Sequence, residues 1–148
     1  MTVEMLTFCT AATIGGIGEL NILGATNQLY SSEVPLLVRQ CALVAKVRFD
    51  RSEEGLRLLT FSFVDPDGRP VTELPPLQAL DVQIPPDASS LTAGTLIAIQ
   101  PLQFAKFGEY RVDIAVNGVL AASVPVFVRK IPPPPHLLPP PSPQPSLG

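Results

Sequence analysis

The chain has 148 residues, of which 46% are apolar and 16% charged, enough length and apolar material for one domain with its own core. A net charge of −3 leaves no basic excess to attract phosphate backbones or an anionic bilayer, so neither a nucleic acid nor a membrane is an expected partner. Nine of the eighteen prolines fall between residues 132 and 145, which divides the chain into a globular body over residues 1–130 and a proline-rich tail over 131–148.

The N-terminal stretch MTVEMLTFCTAATIGGIG has no Lys or Arg ahead of its apolar run, and Glu4 stands where a signal peptide would be positive. It reads as mature protein in the cytoplasm, and no run approaches the roughly 18 apolar residues of a membrane span. A first strand is expected over residues 3–11 and a second over 19–26, joined by the turn-rich TIGGIG. Those glycines do not make a phosphate loop: the following ELNILGA reads as strand, and the spacing fits neither dinucleotide nor Walker motifs. The polar link NQLYSSEVP then crosses to the third strand, with room for at most one helical turn near Ser32 and Pro35.

The third strand, RQCALVAKVRFD, puts Cys41, Leu43, Ala45, Val47 and Phe49 on one face and Gln40, Lys46 and Arg48 on the other. After the charged turn RSEEG, the fourth strand points Leu59, Phe61 and Phe63 inward. VDPDGRPV closes it as a turn, with Asp65 capping through its own side chain, Pro66 preset for the second position of a type I turn and Gly68 free to take positive φ. The fifth strand, LQALDVQI, aligns Leu80, Val82 and Ile84 before Pro85-Pro86. The sixth is short, over residues 95–100, and Pro101 makes it an edge or a bulged strand.

FGEYRVDIAVNG and the segment after it supply the last two strands. Tyr110, Val112, Ile114 and Val116 share one face, while Glu109, Arg111 and Asp113 share the other. The returning apolar set is Leu120, Ala122, Val124, Val126 and Val128. A two-residue Asn117-Gly118 loop would pair Ile114 with Ala121, the wrong parity. A three-residue loop over 116–118, with Gly118 at positive φ as a G1 bulge, pairs Ile114 with Leu120 and restores it. Tyr110 is expected to bury its ring and bond the preceding corner. Pro101 and Pro125 read as edge protection.

Alternation with period two recurs throughout and helical spacing is nearly absent. The expected fold is therefore all-β: an antiparallel two-sheet immunoglobulin-like β-sandwich of about eight strands, followed by a disordered proline-rich C-terminal tail.

Chemistry-bearing residues are sparse. Cys9 and Cys41 read as two small buried thiols in a reducing compartment and are too few for zinc. The lone histidine, His136, lies in the tail, so the body has no imidazole to activate Ser or Cys. Glu53, Glu54, Asp65, Asp67, Asp81 and Asp113 each fall in a turn or on an outward strand face, so neither an enzyme nor a cofactor is expected. No ligand ladder follows Gly68 at EF-hand offsets, and with Tyr30 and Tyr110 as the only tyrosines and no Trp, aromatic platforms for sugars are few. The proline runs of the tail favour polyproline II, an extended spacer or docking peptide, with Pro132, Pro135 and Pro139 as candidate docking residues.

Four stretches in this order, VEMLTFCTAA, GELNILGATNQLY, VDPDGRPV and FGEYRVDIAVNGVLAASVPVFV, resemble an uncharacterised bacterial family of small single-domain proteins of unknown function. The likeness covers residues 3–129. It implies a compact antiparallel β-sandwich in the bacterial cytoplasm, and it implies no catalytic or binding residue. The expected role is a non-enzymatic protein-binding or scaffold module, acting through a protein partner or self-association. The alternative is a small-ligand or calcium-binding sandwich whose loops TIGGIG, RSEEG and VDPDG gather at one end.

Overall fold

The computed structural model describes residues 1–75, 77–132 and 141. Twelve strands and one 3-10 turn, Arg51–Glu53, make up the regular structure among them. The strands are β1 (Thr2–Cys9), β2 (Ala11–Ile14), β3 (Leu20–Leu23), β4 (Gln28–Ser31), β5 (Leu36–Val38), β6 (Cys41–Asp50), β7 (Gly55–Val64), β8 (Gln78–Val82), β9 (Ser90–Ile99), β10 (Leu102–Phe104), β11 (Gly108–Val116) and β12 (Val119–Lys130). Eight of them answer the expected strands. The others, β2, β4, β5 and β10, are three or four residues long, too short for an alternation to show in the sequence. The NQLYSSEVP link thus holds strand rather than a helical turn, and the sixth expected strand runs ten residues as β9.

Two sheets carry the core, in the orders β1-β6-β9 and β4-β12-β11-β7-β8, with β10-β5 and β2-β3 as two-stranded additions. The pairing is mixed, since β4 lies parallel to β12; the other pairs are antiparallel. Leu43, Val47 and Phe49 from β6 meet Phe61, Phe63, Val112 and Ile114 from the facing sheet in one buried cluster. Phe8, Phe63, Phe104 and Tyr110 pack mostly edge to face within it, a geometry adding about 0.5–1.5 kcal/mol per pair beyond area burial.

The first half of β6 is buried on both faces, unlike the half-exposed strand its charged end suggested. The β2-β3 hairpin covers its outer side: Ala12, Leu20 and Ile22 pack onto Cys9, Ala42 and Val44 as a second small core. Cys9 pairs in register with Ala42, so Cys41, one residue along, points to the opposite face, and the two thiols are free and buried. Burial, with a smaller contribution from Cys9, pushes the Cys41 thiol up to about 11, far from the thiolate that redox chemistry needs.

The last hairpin corrects the loop expected above. Val116 pairs with Val119, leaving a two-residue Asn117-Gly118 loop with both residues at positive φ, 50° and 80°, the type I′ arrangement that matches strand twist. Parity is restored inside the strand: Ala115 pairs with Leu120 but Ile114 pairs with Ala122, so Ala121 is an extra, bulged residue. Ala122, Val124, Val126 and Val128 therefore turn inward, whereas Leu120 is 61% exposed and does not join them. Asn117 is clamped to β7, its N–H donating to Leu58 O and its Oδ1 accepting from Leu58 N–H, both at 2.8 Å.

Because Ala121 only absorbs the odd residue, its deletion leaves every inward pairing intact. The shortened protein should unfold cooperatively within about 1 kcal/mol of the parent in urea; loss of the cooperative transition would show that the bulge itself is required. Gly118→Ala, which forces a Cβ into the left-handed region, should cost about 1–2 kcal/mol in the same measurement.

Candidate functional site

The two sheets differ in what lies over their outer faces. The β2-β3 hairpin covers that of β1-β6-β9, but among the described residues no strand crosses that of the five-stranded sheet. By alternation with the buried set, this open face presents Thr60 and Ser62 from β7, Arg111 and Asp113 from β11, Phe127 and Arg129 from β12, and Gln28 and Tyr30 from β4.

At one end the face is bordered by the VDPDG turn. Asp65 Oδ1 accepts from the N–H groups of Asp67 (2.8 Å) and Arg69 (2.9 Å), while Gly68 N–H, at φ 83°, donates to Asp65 O (2.9 Å). The Arg69 N–H is the main cause that holds the Asp65 carboxyl below its ordinary range, with Asp67 N–H and the Lys106 charge assisting against desolvation. Lys106 Nζ ion-pairs with Asp67, and that bond raises the ammonium above its usual value. Pro66 rests on the start of β11, where Gly108, at φ 143°, leaves room; a Cβ there would lie 2.8 Å from Pro66 Cγ. Tyr110 closes the corner from inside: its ring is 1% exposed, and its OH donates to Lys106 O at 2.7 Å. Burial pushes the phenol up.

Between this turn and β12 is an open depression of about 610 Å³, walled by Pro66 and Pro125 and lined with Asp67, Glu109, Arg111 and Ser123. Its charge is structured from beneath. Asp113, facing outward yet only 9% exposed, is the one charged side chain buried among the described residues. Arg111 Nε straddles it, 3.0 Å from Oδ1 and 3.1 Å from Oδ2, with the N–H directed at Oδ2; Oδ1 has charge compensation but no hydrogen bond of its own. Asp113 thus lies on the outward strand face expected for it but is buried there, the anchor of an open Arg111.

Further along the sheet, Phe127 pairs with Gln28 and Arg129 with Tyr30. The Arg129 guanidinium lies 4.6 Å from the centre of the Phe127 ring, a cation–π contact. Tyr30 is 52% exposed, with its OH donating to Gln28 Oε1 at 2.6 Å, which fixes the ring. Sequence reasoning passed over this strip because NQLYSSEVP reads as a polar link; the alternation Gln28, Leu29, Tyr30, with Leu29 packed against the core, was the available signal.

The residues singled out from sequence do not converge. Asp65, Pro66 and Gly68 border the depression, and Tyr110 supports it from the core. Asn117 and Gly118 lie at the far end of β11. RSEEG precedes β7 and VDPDG follows it, so these two loops sit at opposite ends of a ten-residue strand, about 30 Å apart, and cannot gather with TIGGIG into one cluster. RSEEG is instead a structural clasp: Arg51 donates to the carbonyls of Pro85, Pro86 and Ala88. Pro132 is exposed; Pro135 and Pro139 lie outside the described residues. Among those described, no group of three or more His, Cys, Asp or Glu is placed to hold a metal, and no helix is long and apolar enough to cross a membrane. What the face offers is contact chemistry: fixed aromatic rings, guanidinium donors and a shallow polar hollow.

Tyr110→Phe deletes the corner bond and should cost about 1 kcal/mol in denaturant unfolding with the core otherwise intact. The pH dependence follows from the shift directions. Asp65, lowered in the folded state, contributes stability above its unfolded pKa that is lost as pH falls through the folded value; Lys106, raised, contributes below its unfolded pKa and loses it as pH rises through the folded one. Melting temperature should therefore fall below about pH 4 and above about pH 10. Asp65→Asn, which keeps the acceptor oxygen, should weaken the acid limb, with the lowered Asp50 carboxyl sustaining the rest, and affect the alkaline limb less, since the Asp65 charge is only one of the causes that raise Lys106.

No curated protein and no solved structure matches the chain. A family of unknown function, DUF6941, matches residues 4–129, from within β1 to the penultimate residue of β12. The chain belongs to this family of unknown function, and the match takes in every strand of both sheets while leaving the proline-rich stretch outside.

Proposed function

We propose that the protein is a non-enzymatic protein-binding module, an immunoglobulin-like β-sandwich whose contact surface is the outer face of its five-stranded sheet. Support for the immunoglobulin-like reading comes from the β12-β11-β7-β8 order facing β1-β6-β9, and from the tyrosine that opens β11 and bonds back four residues. The observation that carries the binding reading is the Tyr30, Phe127 and Arg129 strip: aromatic residues and Arg are the types enriched at interface centres, and here they stand on a face that no strand crosses among the described residues. Free, buried Cys9 and Cys41 agree with a reducing compartment such as the cytoplasm. A second reading, a small ligand in the depression beside Arg111, is favoured only by the hollow itself, and calorimetric heat abolished by Arg111→Ala would bring it forward.

Capture from a cell lysate on the immobilised full chain, compared with Tyr30→Ala and Arg129→Ala, tests the proposal. Both side chains are exposed at the sheet surface, so melting should be unchanged, while the captured partners should fall at least tenfold. Equal capture by both variants, or none by the parent together with a strictly monomeric mass in light scattering, overturns the reading.

A further inference from the structure

We propose that the Tyr30–Phe127 strip takes a polyproline II ligand, and that its resident ligand is the proline-rich segment of the same chain. This rests on the strip being a contact surface and adds what it contacts. Its hydrogen-bonding character is one-sided. Arg129 stacks on Phe127 with no carboxylate in ion-pair range among the described residues, so its guanidinium donors are available. The neighbouring acceptor, Gln28 Oε1, is already taken by Tyr30 OH, and Glu109 lies on the far side of Phe127, toward β11. A backbone that brings carbonyl acceptors and few N–H groups matches such a surface. Proline-rich chain is that backbone: it lacks the donors, holds its extended form at low entropic cost and lays its rings on aromatic faces.

Position points to the occupant. Ile131 N–H donates to Ser31 O at 2.9 Å, so the chain leaves the sheet one rung beyond the Arg129–Tyr30 pair. Seven residues, 132–138, separate that point from Pro139-Pro140-Pro141. At ~3.1 Å per residue they span up to about 22 Å, enough to run out and return. A tether this short sets the local concentration of the second proline block in the millimolar range, so even a weak site is filled in its own molecule. An external proline-rich partner would then bind by displacing the segment.

The protein reports on this directly, because it has two tyrosines and no tryptophan, and Tyr110 is buried. Acrylamide quenching of tyrosine fluorescence therefore reads Tyr30. In the full-length variant Pro139→Ser, Pro140→Ser, Pro141→Ser, the quenching constant should rise at least twofold over the parent at every protein concentration, with an unchanged melting temperature. Identical quenching overturns the proposal, and protection that grows with protein concentration overturns its intramolecular form in favour of exchange between copies. The same variant should capture more of any Tyr30-dependent partner. If quenching is identical while capture still depends on Tyr30, the segment alone is excluded and the contact surface stands; if capture is also indifferent to Tyr30, both fall.

Discussion

The register of β11 is the constraint on which both sides of the five-stranded sheet depend. Its even residues from Tyr110 to Val116 are core, and its odd residues Glu109, Arg111 and Asp113 supply the outer face. A slip of one residue would exchange the two sets. Two clamps prevent the slip. At one end Tyr110 bonds Lys106 O beneath the VDPDG turn; at the other Asn117 exchanges two hydrogen bonds with Leu58 of β7. The first clamp is local, four residues back along the chain, and the second reaches 59 residues to β7, so the corner and the hairpin loop fix the two ends of one strand.

That division explains which features were legible in the sequence. Long strands with a run of alternation, such as the second halves of β6 and β7 and most of β11, announce their inward faces, and so does the VDPDG turn, because Asp, Pro and Gly each serve one backbone requirement there. The parity conflict in the last hairpin was also legible, but its resolution was not. A three-residue loop and a two-residue loop with a bulge at Ala121 both satisfy parity, and the choice is made by Asn117, whose bonds to Leu58 favour Asn at positive φ in a type I′ turn. The Asn-Gly dipeptide was a local signal for the two-residue loop, but its partner 59 residues away was not visible. The second face of β6 left one local mark, the unbroken apolar run Cys41 to Ala45, but what covers it, the β2-β3 hairpin, is a tertiary contact, and in β4 the alternation spans only Gln28, Leu29 and Tyr30.

On the outer face, the burial of Asp113 has a physical consequence for its neighbour. A carboxylate shielded from water is costly unless compensated, and the compensation is Arg111 Nε alone, because Ser62 and Ser123 flank Asp113 in register without bonding to it. Arg111 is thereby held over its anchor at one nitrogen, which leaves the outer end of the guanidinium toward the depression. Such a group is ordered before any ligand arrives, which lowers the side-chain entropy lost on binding relative to a freely rotating surface arginine.

Strand addition is hindered at two exposed lengths of strand. Phe127 donates its N–H away from β11, to Asn27 O, so by two-residue alternation the backbone of Pro125 and Ser123 also faces away from β11. This is the stretch of β12 that β4 does not reach. Pro125 stands where an outward N–H would otherwise project, leaving the open length short of a donor. On the other layer, β9 has a single strand neighbour, and Gln78 reaches across from β8 to cap it, donating to Leu96 O at 3.2 Å. At these two places, the open length of β12 and the outer side of β9, an added strand finds no continuous ladder. For the partner proposed above, side-chain contact with the open face meets no such obstacle, and on that face the rings of Tyr30 and Phe127 present apolar area at little loss of freedom.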